Sequence, residues 1–347
     1  MNHNGSLDMA FRLIDCAAEA AADAVKFQTF KAEKVMTSAA PRAAYQIANM
    51  GEGGSQIELI RKLQLDESDF RKLAAYAAAC NIEFMSTPFD LGSLQFLVRE
   101  IGIRRLKISS GEITNIFLLL GAARSKLPLI VSTGMCTLDD IEAALDVLAF
   151  GLVQPDVAPS AARIRGASTS AAGRAALMEK VTLLHCTTEY PSPVEDTNLR
   201  AMQTMRDKFN LPVGYSDHTS GIAIPVAAAA LGATVIEKHF TLDRSLPGPD
   251  HPASLEPTEL KSMVQFVRKS AAALGRSEKL PAPSELKNIP IARRSLVAAR
   301  SIRHGETLDL SMLDAKRPGT GLSPMRIFDI VGTKAKRDYA PDEAIES

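Results

Sequence analysis

Residues 211–219 read Leu-Pro-Val-Gly-Tyr-Ser-Asp-His-Thr, an apolar run that ends in four polar side chains. A short apolar run that starts beside a proline is typical of a buried strand. Buried polar groups need hydrogen-bond partners, because leaving one unpaired costs free energy. The segment from Ser216 to Thr219 therefore predicts that this strand ends among other polar groups.

Six further segments share this pattern of an apolar start and a polar end. They are residues 22–30, 82–89, 104–112, 128–135, 181–191 and 234–240. Helical patterns lie between them, for example at residues 66–80, 137–149 and 256–274. Apolar strands that alternate with helices indicate a parallel sheet covered on its faces. Polar ends on every strand favour a closed α/β barrel, which builds its active site at the carboxyl ends of its strands.

A doubly wound sheet is the alternative α/β fold, but it binds ligands only near its switch point. No G-x-G-x-x-G motif follows a predicted strand, which argues against a dinucleotide-binding sheet. A (β/α)8 TIM barrel needs eight strands, and we count seven. Because the first helix pattern begins almost at Met1, we expect the first barrel strand to be missing from this chain.

Composition divides the chain into segments. We expect residues 1–276 to form the barrel domain, with residues 151–180, rich in Ala, Ser, Gly and Arg, as a surface insertion. Residues 277–292 read as a linker, and residues 293–347 as a small second domain.

The overall composition restricts the classes of function. With 347 residues, 46% of them hydrophobic, the chain can bury a sizeable core. A formal net charge of zero gives no electrostatic reason to expect a nucleic-acid or membrane partner. The four cysteines are scattered and lack metal-binding spacing, which favours free thiols in a reducing compartment. We see neither a membrane-spanning run nor a secretion signal, and expect a cytoplasmic protein.

Two histidines end neighbouring predicted strands, at His218 and His239. Taken alone, each is more often a structural histidine. At the same end of adjacent barrel strands, the two could reach one ion, and imidazole with oxygen ligands suits Mn²⁺, Zn²⁺ or Fe²⁺. The spacing leaves the choice of metal open.

Lysines also occupy strand ends, at Lys26, Lys107 and Lys238. Each is either half of a buried ion pair or a group that binds an anion or forms a Schiff base. With the polar side chains near them, Lys26 and Lys107 would suit a small, doubly charged phosphate ester. Glu112 and Glu237 either balance these lysines or act as acid and base.

Eleven stretches, in order along nearly the whole chain, resemble the sialic acid synthase family. They include NHNGSL, ADAVKFQTF, LKISSGEITN, LLHCTTEYPSP, GYSDHTSGI, GATVIEKHFTLD, LPGPDH and KRPGTG. The resemblance implies a TIM barrel followed by an antifreeze-like (SAF) domain. It also implies a domain-swapped homodimer in which each SAF domain caps the barrel of the other copy.

The resemblance further assigns roles to residues. His218 and His239 match the family's metal ligands, with Mn²⁺ expected and Mg²⁺ or Co²⁺ as alternatives. Glu237 and Lys107 are the expected catalytic residues. The expected substrate-binding residues are Lys26, Gln28, Thr87, Ser109, Ser132, Thr133, Thr188, Tyr190, Ser216, Asp250 and, acting in trans, Arg317.

Members of this family condense phosphoenolpyruvate with an N-acylated hexosamine. We expect this chain to use open-chain N-acetylmannosamine and water, releasing N-acetylneuraminate and phosphate by C–O cleavage. Legionaminate synthesis from 2,4-diacetamido-2,4,6-trideoxymannose is the alternative within the family. Outside it, the alternatives are a Schiff-base aldolase that uses Lys107 or Lys238, and a non-catalytic sugar-binding protein if the first strand is truly absent.

Three departures from the family pattern bear on these expectations. The usual strand before NHNG, which carries a glutamate that contacts the sugar, is absent. Thr188 stands where some members have Asn, and the SAF segment ends early, at DEAIES.

Overall fold

The computed structural model describes residues 1–37, 40–41 and 55–346. The chain divides into two compact units, Met1–Gly275 and Arg276–Ser347.

Seven parallel strands form the framework of the first unit. They are β1 (Ala24–Thr29), β2 (Glu83–Pro88), β3 (Leu106–Ile108), β4 (Leu129–Ser132), β5 (Val181–Cys186), β6 (Val213–Asp217) and β7 (Ile236–Lys238). β1 pairs with β2, and β3 to β7 form a five-stranded sheet in sequence order. Each strand falls within one of the seven segments predicted from the sequence, and the predicted α/β fold with parallel strands is confirmed.

Helices cover this framework. They are α1 (Leu7–Glu19), α2 (Ala32–Val35), α3 (Gln56–Leu63), α4 (Glu67–Ala79), α5 (Leu91–Phe96), α6 (Ile116–Arg124), α7 (Leu138–Val153), α8 (Ala161–Ile164), α9 (Ala171–Lys180), α10 (Ala201–Phe209), α11 (Ala223–Ala230) and α12 (Pro257–Leu274). Thr137 caps α7 and forms a reciprocal capping box with Asp140. Asp66 occupies the N-cap of α4 without a capping hydrogen bond from its side chain.

The strand register sets polar strand ends side by side. Gln28 lies opposite Thr87 across the β1–β2 pair. Ser216 lies opposite Glu237 across the β6–β7 pair. Below these ends the strands are apolar, as in β3 and β4, where every residue except Lys107 and Ser132 is hydrophobic and all are buried. The core therefore orients a polar layer at the carboxyl ends of the strands.

Among the described residues, β1 and β7 are edge strands of their two sheets. A cavity of about 550 Å³ lies between them, lined on one side by Lys26 and Gln28 and on the other by Glu237 and His239. The polar strand ends thus face a space large enough for small ligands.

The predicted insertion at residues 151–180 contains the end of α7 and then α8 and α9. Asp146 of α7 accepts hydrogen bonds from the backbone N–H groups of Gly166 and Ser168, which fastens the segment to the helix layer. α9 leads directly into β5, so the segment enters the amino end of that strand.

The second unit is small and has its own core. β8 (Ser295–Ala298) and β9 (Leu313–Lys316) pair antiparallel, and short helices α13 (Pro283–Leu286), α14 (Ile289–Ala292) and α15 (Ile327–Ile330) accompany them. The core residues include Leu296, Ala298, Ile302, Leu308 and Tyr339.

In the part of the chain that is described, no helix is both long and apolar enough to cross a membrane.

Candidate active site

Glu237 lies between two lysines near the carboxyl ends of the strands. Its Oε2 is 3.0 Å from Lys26 Nζ, and its Oε1 is 3.7 Å from Lys107 Nζ. Ser216 donates a hydrogen bond of 2.7 Å to Oε1. The site therefore holds two cationic groups around one carboxylate, leaving a net positive charge for an anionic ligand.

The charges of this cluster shift one another's pKa values. Burial opposes ionisation of Glu237, but Lys107 and Lys26 outweigh it and lower the pKa of this carboxyl. Burial lowers the pKa of Lys107 to about 8, although Glu237 works in the opposite direction. Glu237 is thus a carboxylate at neutral pH, and Lys107 loses its proton at a pH just above neutral.

Lys107 is held in place by its neighbours on β3 and β4. Its side chain is 2% exposed, and Nζ donates to the Ile108 carbonyl at 2.9 Å and to Ser132 Oγ at 2.6 Å. These bonds compensate part of the cost of burying an ammonium group. Ser132 therefore orients Lys107 toward Glu237.

The two predicted metal-binding histidines lie next to each other. The ring centroids of His218 and His239 are 5.5 Å apart. Nδ1 of His218 is 2.6 Å from the Thr187 carbonyl, so Nδ1 carries the proton and Nε2 keeps its lone pair. Burial lowers the pKa of both histidines, which keeps the imidazoles neutral at pH 7.

A neutral pair of imidazoles at this separation fits a first-row divalent ion. No group of three or more His, Cys, Asp or Glu that could hold a metal occurs among the described residues.

A buried ion pair fixes the backbone on both sides of His218. Lys238 Nζ is 2.5 Å from Asp217 Oδ2 and also donates to the carbonyl of Thr219. The Asp217 carboxylate in turn accepts from the hydroxyl and the N–H of Thr219. Asp217 thus ties the end of β6 to β7.

Two of the predicted substrate-binding residues, Tyr190 and Asp250, adjoin the histidines. The Tyr190 ring centroid is 4.2 Å from that of His218 and 5.7 Å from that of His239. Asp250 is paired with the amino group of Met1. Asp250 and His239 line one small cavity. Asp250 therefore offers a charged acceptor close to His239.

Two buried threonine hydroxyls lack partners within the described part of the chain. They belong to Thr87, at the end of β2, and to Thr188, just after β5. Unsatisfied buried hydroxyls are uncommon, and at a site they point to a ligand or an ordered water. Both threonines were predicted to bind substrate.

The structure does not bring every predicted residue to the cluster. The Thr133 hydroxyl donates to the Leu184 carbonyl and contacts Met205 Sδ of α10, so it is engaged on the helix side of the sheet. Ser109 precedes a short 3-10 turn, whereas its neighbour Ser110 makes the site contacts. Arg317 belongs to the second unit, where its Nε donates to the Ala292 carbonyl.

Sequence reasoning missed a tight contact around Gly134. Ser110 accepts from the Gly134 N–H at 2.9 Å and lies 3.1 Å from Cys186 Sγ. A Cβ at Gly134 would be 2.2 Å from Thr188 Oγ1, so only glycine lets these side chains approach. The glycine in STGM was the available signal, since glycine next to a strand end often marks a close approach.

Comparison with known proteins follows the same division of the chain. Residues 13–279 match the NeuB family, and residues 293–346 match the SAF domain. The N,N′-diacetyllegionaminic acid synthase of Campylobacter jejuni is 45% identical over 345 residues, covering 99% of this chain and 96% of its own.

The N,N′-diacetyllegionaminic acid synthase of Legionella pneumophila is also 45% identical, over 96% of this chain and 88% of its own. The solved N-acetylneuraminic acid synthetase of Leptospira borgpetersenii aligns with a TM-score of 0.66 and 35% identity. That alignment covers 83% of this chain and 87% of the other. With a family match over most of its length and relatives of this identity, the chain belongs to the NeuB family and carries a C-terminal SAF domain.

Proposed function

We propose that the protein condenses phosphoenolpyruvate with 2,4-diacetamido-2,4,6-trideoxymannose to give N,N′-diacetyllegionaminate and phosphate. The observation that carries the proposal is Glu237 set between Lys26 and Lys107 in the cavity that also holds His239. The relatives from Campylobacter and Legionella favour this sugar over N-acetylmannosamine, the first expectation from the sequence.

Phosphoenolpyruvate carries a phosphate and a carboxylate, and it needs cationic partners. Lys26 and Lys107 supply them, with Ser132 and the unpaired hydroxyl of Thr87 as further hydrogen-bonding groups. In a site shielded from water, such fixed charges also stabilise the negative charge that develops on the departing phosphate. Gln28 of β1, which lies opposite Thr87 of β2, is a further hydrogen-bonding group for phosphoenolpyruvate.

His218 and His239 would hold a divalent ion, with Mn²⁺ preferred and Mg²⁺ or Co²⁺ as alternatives. Such an ion supplies Lewis-acid polarisation of the sugar aldehyde when bound. Tyr190 packs beside both imidazoles, and Asp250 accepts a hydroxyl hydrogen bond from the sugar. Thr188 adds a free hydroxyl on the same side.

Carbon 3 of phosphoenolpyruvate forms the new bond to carbon 1 of the aldehyde, whose oxygen becomes a hydroxyl group. Water adds to the cationic carbon 2, and the C–O bond to phosphate then breaks with its electron pair leaving on phosphate. The hydroxyl group left on carbon 2 gives its proton to phosphate and becomes the keto group, and the first proton taken from water passes to the oxygen of the former aldehyde. Glu237, a carboxylate held by Ser216, accepts the proton of the attacking water. Lys107 stays protonated and stabilises the leaving phosphate.

A Schiff-base aldolase is the competing class, because Lys107 has a pKa of about 8. Against it, Nζ of Lys107 is occupied by Ser132 and the Ile108 carbonyl, and Nζ of Lys238 by Asp217. An amine engaged in this way cannot reach a carbonyl carbon without giving up buried hydrogen bonds.

The assembly and the role of Arg317 are part of the proposal. We place the protein in the cytoplasm as a domain-swapped homodimer, in which Arg317 of one copy reaches the sugar in the barrel of the other. Arg317 is exposed in its own unit, so its guanidinium is available to such a partner.

The testing experiment measures phosphate release from phosphoenolpyruvate with each sugar, before and after EDTA. We expect release with the diacetamido sugar, loss with EDTA and recovery with Mn²⁺. Borohydride trapping of pyruvate that is insensitive to EDTA would instead identify the aldolase. Sugar binding without phosphate release would identify a binding protein.

A further inference from the structure

A second, smaller cavity of about 180 Å³ adjoins the site at the carboxyl ends of β1 and β2. Its wall on the side of α2, α3 and β2 is apolar. We call this the acyl chamber, defined by Phe30, Met36, Leu59, Ile60, Leu63 and Phe89. Leu59 and Leu63 are buried on the inner face of α3.

The acyl chamber shares residues with the catalytic site. Gln28, Tyr190, His239 and Asp250 also line it. A sugar whose aldehyde lies at the histidines and whose hydroxyl meets Asp250 therefore extends toward the chamber. The residues that line the acyl chamber therefore determine which substituent of the sugar fits into it.

Gln56, the first residue of α3, provides one polar group in this apolar wall. It is 5% exposed, and its side-chain oxygen has no hydrogen-bond partner among the described residues. The N-terminus of the helix does not use it, because Ser55 and Glu58 form the capping box there. A buried acceptor left unpaired is costly and calls for a donor from a ligand.

We propose that the acyl chamber binds a second acylamino group of the sugar, with its N–H donating to Gln56 and its methyl group on the apolar wall. This inference rests on the proposed function and names the substrate feature that the site selects. A lone hydroxyl in the same position could reach Gln56 but would leave the apolar wall in contact with water. The chamber therefore favours a 4-acylamino sugar over its 4-hydroxy counterpart.

The first test uses the unmodified protein with two sugars that differ at one position. These are 2,4-diacetamido-2,4,6-trideoxymannose and 2-acetamido-2,6-dideoxymannose, which has a hydroxyl group at carbon 4. We expect kcat/KM to be about 10- to 100-fold higher for the diacetamido sugar. Equal values would overturn the inference.

The second test adds the variant Gln56→Met, which keeps the volume of the side chain and removes the acceptor. We expect kcat/KM for the diacetamido sugar to fall about tenfold, and that for the 4-hydroxy sugar to fall much less. Gln203→Met is the matched control: Gln203 is an exposed residue of α10 that lines neither cavity, and its replacement should change neither value.

The outcomes distinguish a failure of this inference from a failure of the proposed function. If kcat/KM of Gln56→Met fell equally for both sugars, or for neither, Gln56 would not bind the substituent at carbon 4. Either result would overturn the inference. Absence of phosphate release from the unmodified protein with every sugar would instead overturn the proposed function.

Discussion

Glu237 is the residue on which the proposed proton transfer depends. Glu237→Gln keeps the hydrogen bond with Ser216 but removes the base and the charge that balances Lys26 and Lys107. We expect kcat to fall at least about 100-fold, a loss typical of removing a general base. Steady-state phosphate release measures kcat, and isothermal titration with Mn²⁺ measures metal affinity.

The metal affinity of the Glu237→Gln variant should stay close to that of the unmodified protein, because Glu237 is bonded to lysines and Ser216. Ser216→Ala is the matched control and should lower kcat only modestly, since it removes one hydrogen bond and leaves the carboxylate. Near-normal turnover of Glu237→Gln would refute its role.

If Lys107 binds phosphoenolpyruvate as proposed, the reaction is sensitive to alkaline pH. Its pKa is lowered to about 8 by burial, so the ammonium group loses its proton as pH rises through this value. Phosphoenolpyruvate then meets a neutral amine, and kcat/KM for phosphoenolpyruvate should fall above about pH 8. A pH profile of kcat/KM reports this because it reflects groups of the free enzyme.

Lys107→Arg tests the assignment, because a guanidinium stays protonated across the whole range. The variant should have lower activity but no decline between pH 8 and 10. An unchanged alkaline limb would assign the titration to another group.

Much of the site could be predicted residue by residue, because strand ends that turn polar are visible in the sequence. Lys107, Ser132, Ser216 and Glu237 contact one another as the strand ends suggested. The orientation of the Thr133 side chain could not be predicted, because it depends on the path of the backbone after β4. That path brings its hydroxyl to the Leu184 carbonyl. Gln56 had no sequence signal, because an amide at a helix start is ordinarily solvated.

At the scale of elements, the pair of Lys238 and Asp217 joins the ends of β7 and β6. Both side chains are buried, at 1% and 0% exposed. Asp217→Asn would leave Lys238 without its counter-charge, and we expect a loss of about 3–5 kcal/mol in the free energy of unfolding. Denaturant unfolding monitored by circular dichroism measures this loss.

The double variant Asp217→Asn with Lys238→Met should recover part of the lost stability, because no unpaired charge remains. Lys208, which forms exposed ion pairs with Asp139 and Glu142, provides the control. Lys208→Met should change stability by no more than about 1 kcal/mol. A loss for Asp217→Asn as small as this would contradict the account.

The strands were predictable because each is an apolar run with a clear polar end. Their lengths were overestimated, since the polar ends leave the sheet. Residues 104–112 contain only the strand Leu106–Ile108, after which Ser110–Glu112 form a 3-10 turn. Hydrophobicity marks where a chain is buried, whereas sheet pairing stops where the backbone turns into the site.

At the scale of the whole molecule, the proposed dimer makes one site from two chains. If Arg317 acts in trans, mixed dimers of His239→Ala with Arg317→Ala contain one site with both residues intact. Random pairing in a co-expressed mixture makes about half of the dimers mixed, and each mixed dimer has one of its two sites intact. The mixture should therefore recover about a quarter of the activity of the unmodified protein. Differently tagged chains allow the mixed dimers to be purified and assayed for phosphate release.

Each variant alone should be nearly inactive. Mixed dimers that stay inactive would place Arg317 in cis or outside the reaction. Sequence reasoning could propose this arrangement only through the family resemblance, because hydrophobic periodicity describes single elements and does not encode which copy supplies a side chain.

The proposed reaction joins phosphoenolpyruvate to an acylated amino sugar with C–O cleavage. The most direct measurement uses phosphoenolpyruvate labelled with oxygen-18 in the bridging position, incubated with 2,4-diacetamido-2,4,6-trideoxymannose and Mn²⁺. Phosphorus NMR of the released phosphate reports the label. We expect sugar-dependent release of phosphate that retains the oxygen-18. Release without the label, or no release in the presence of the sugar, would contradict the proposed reaction.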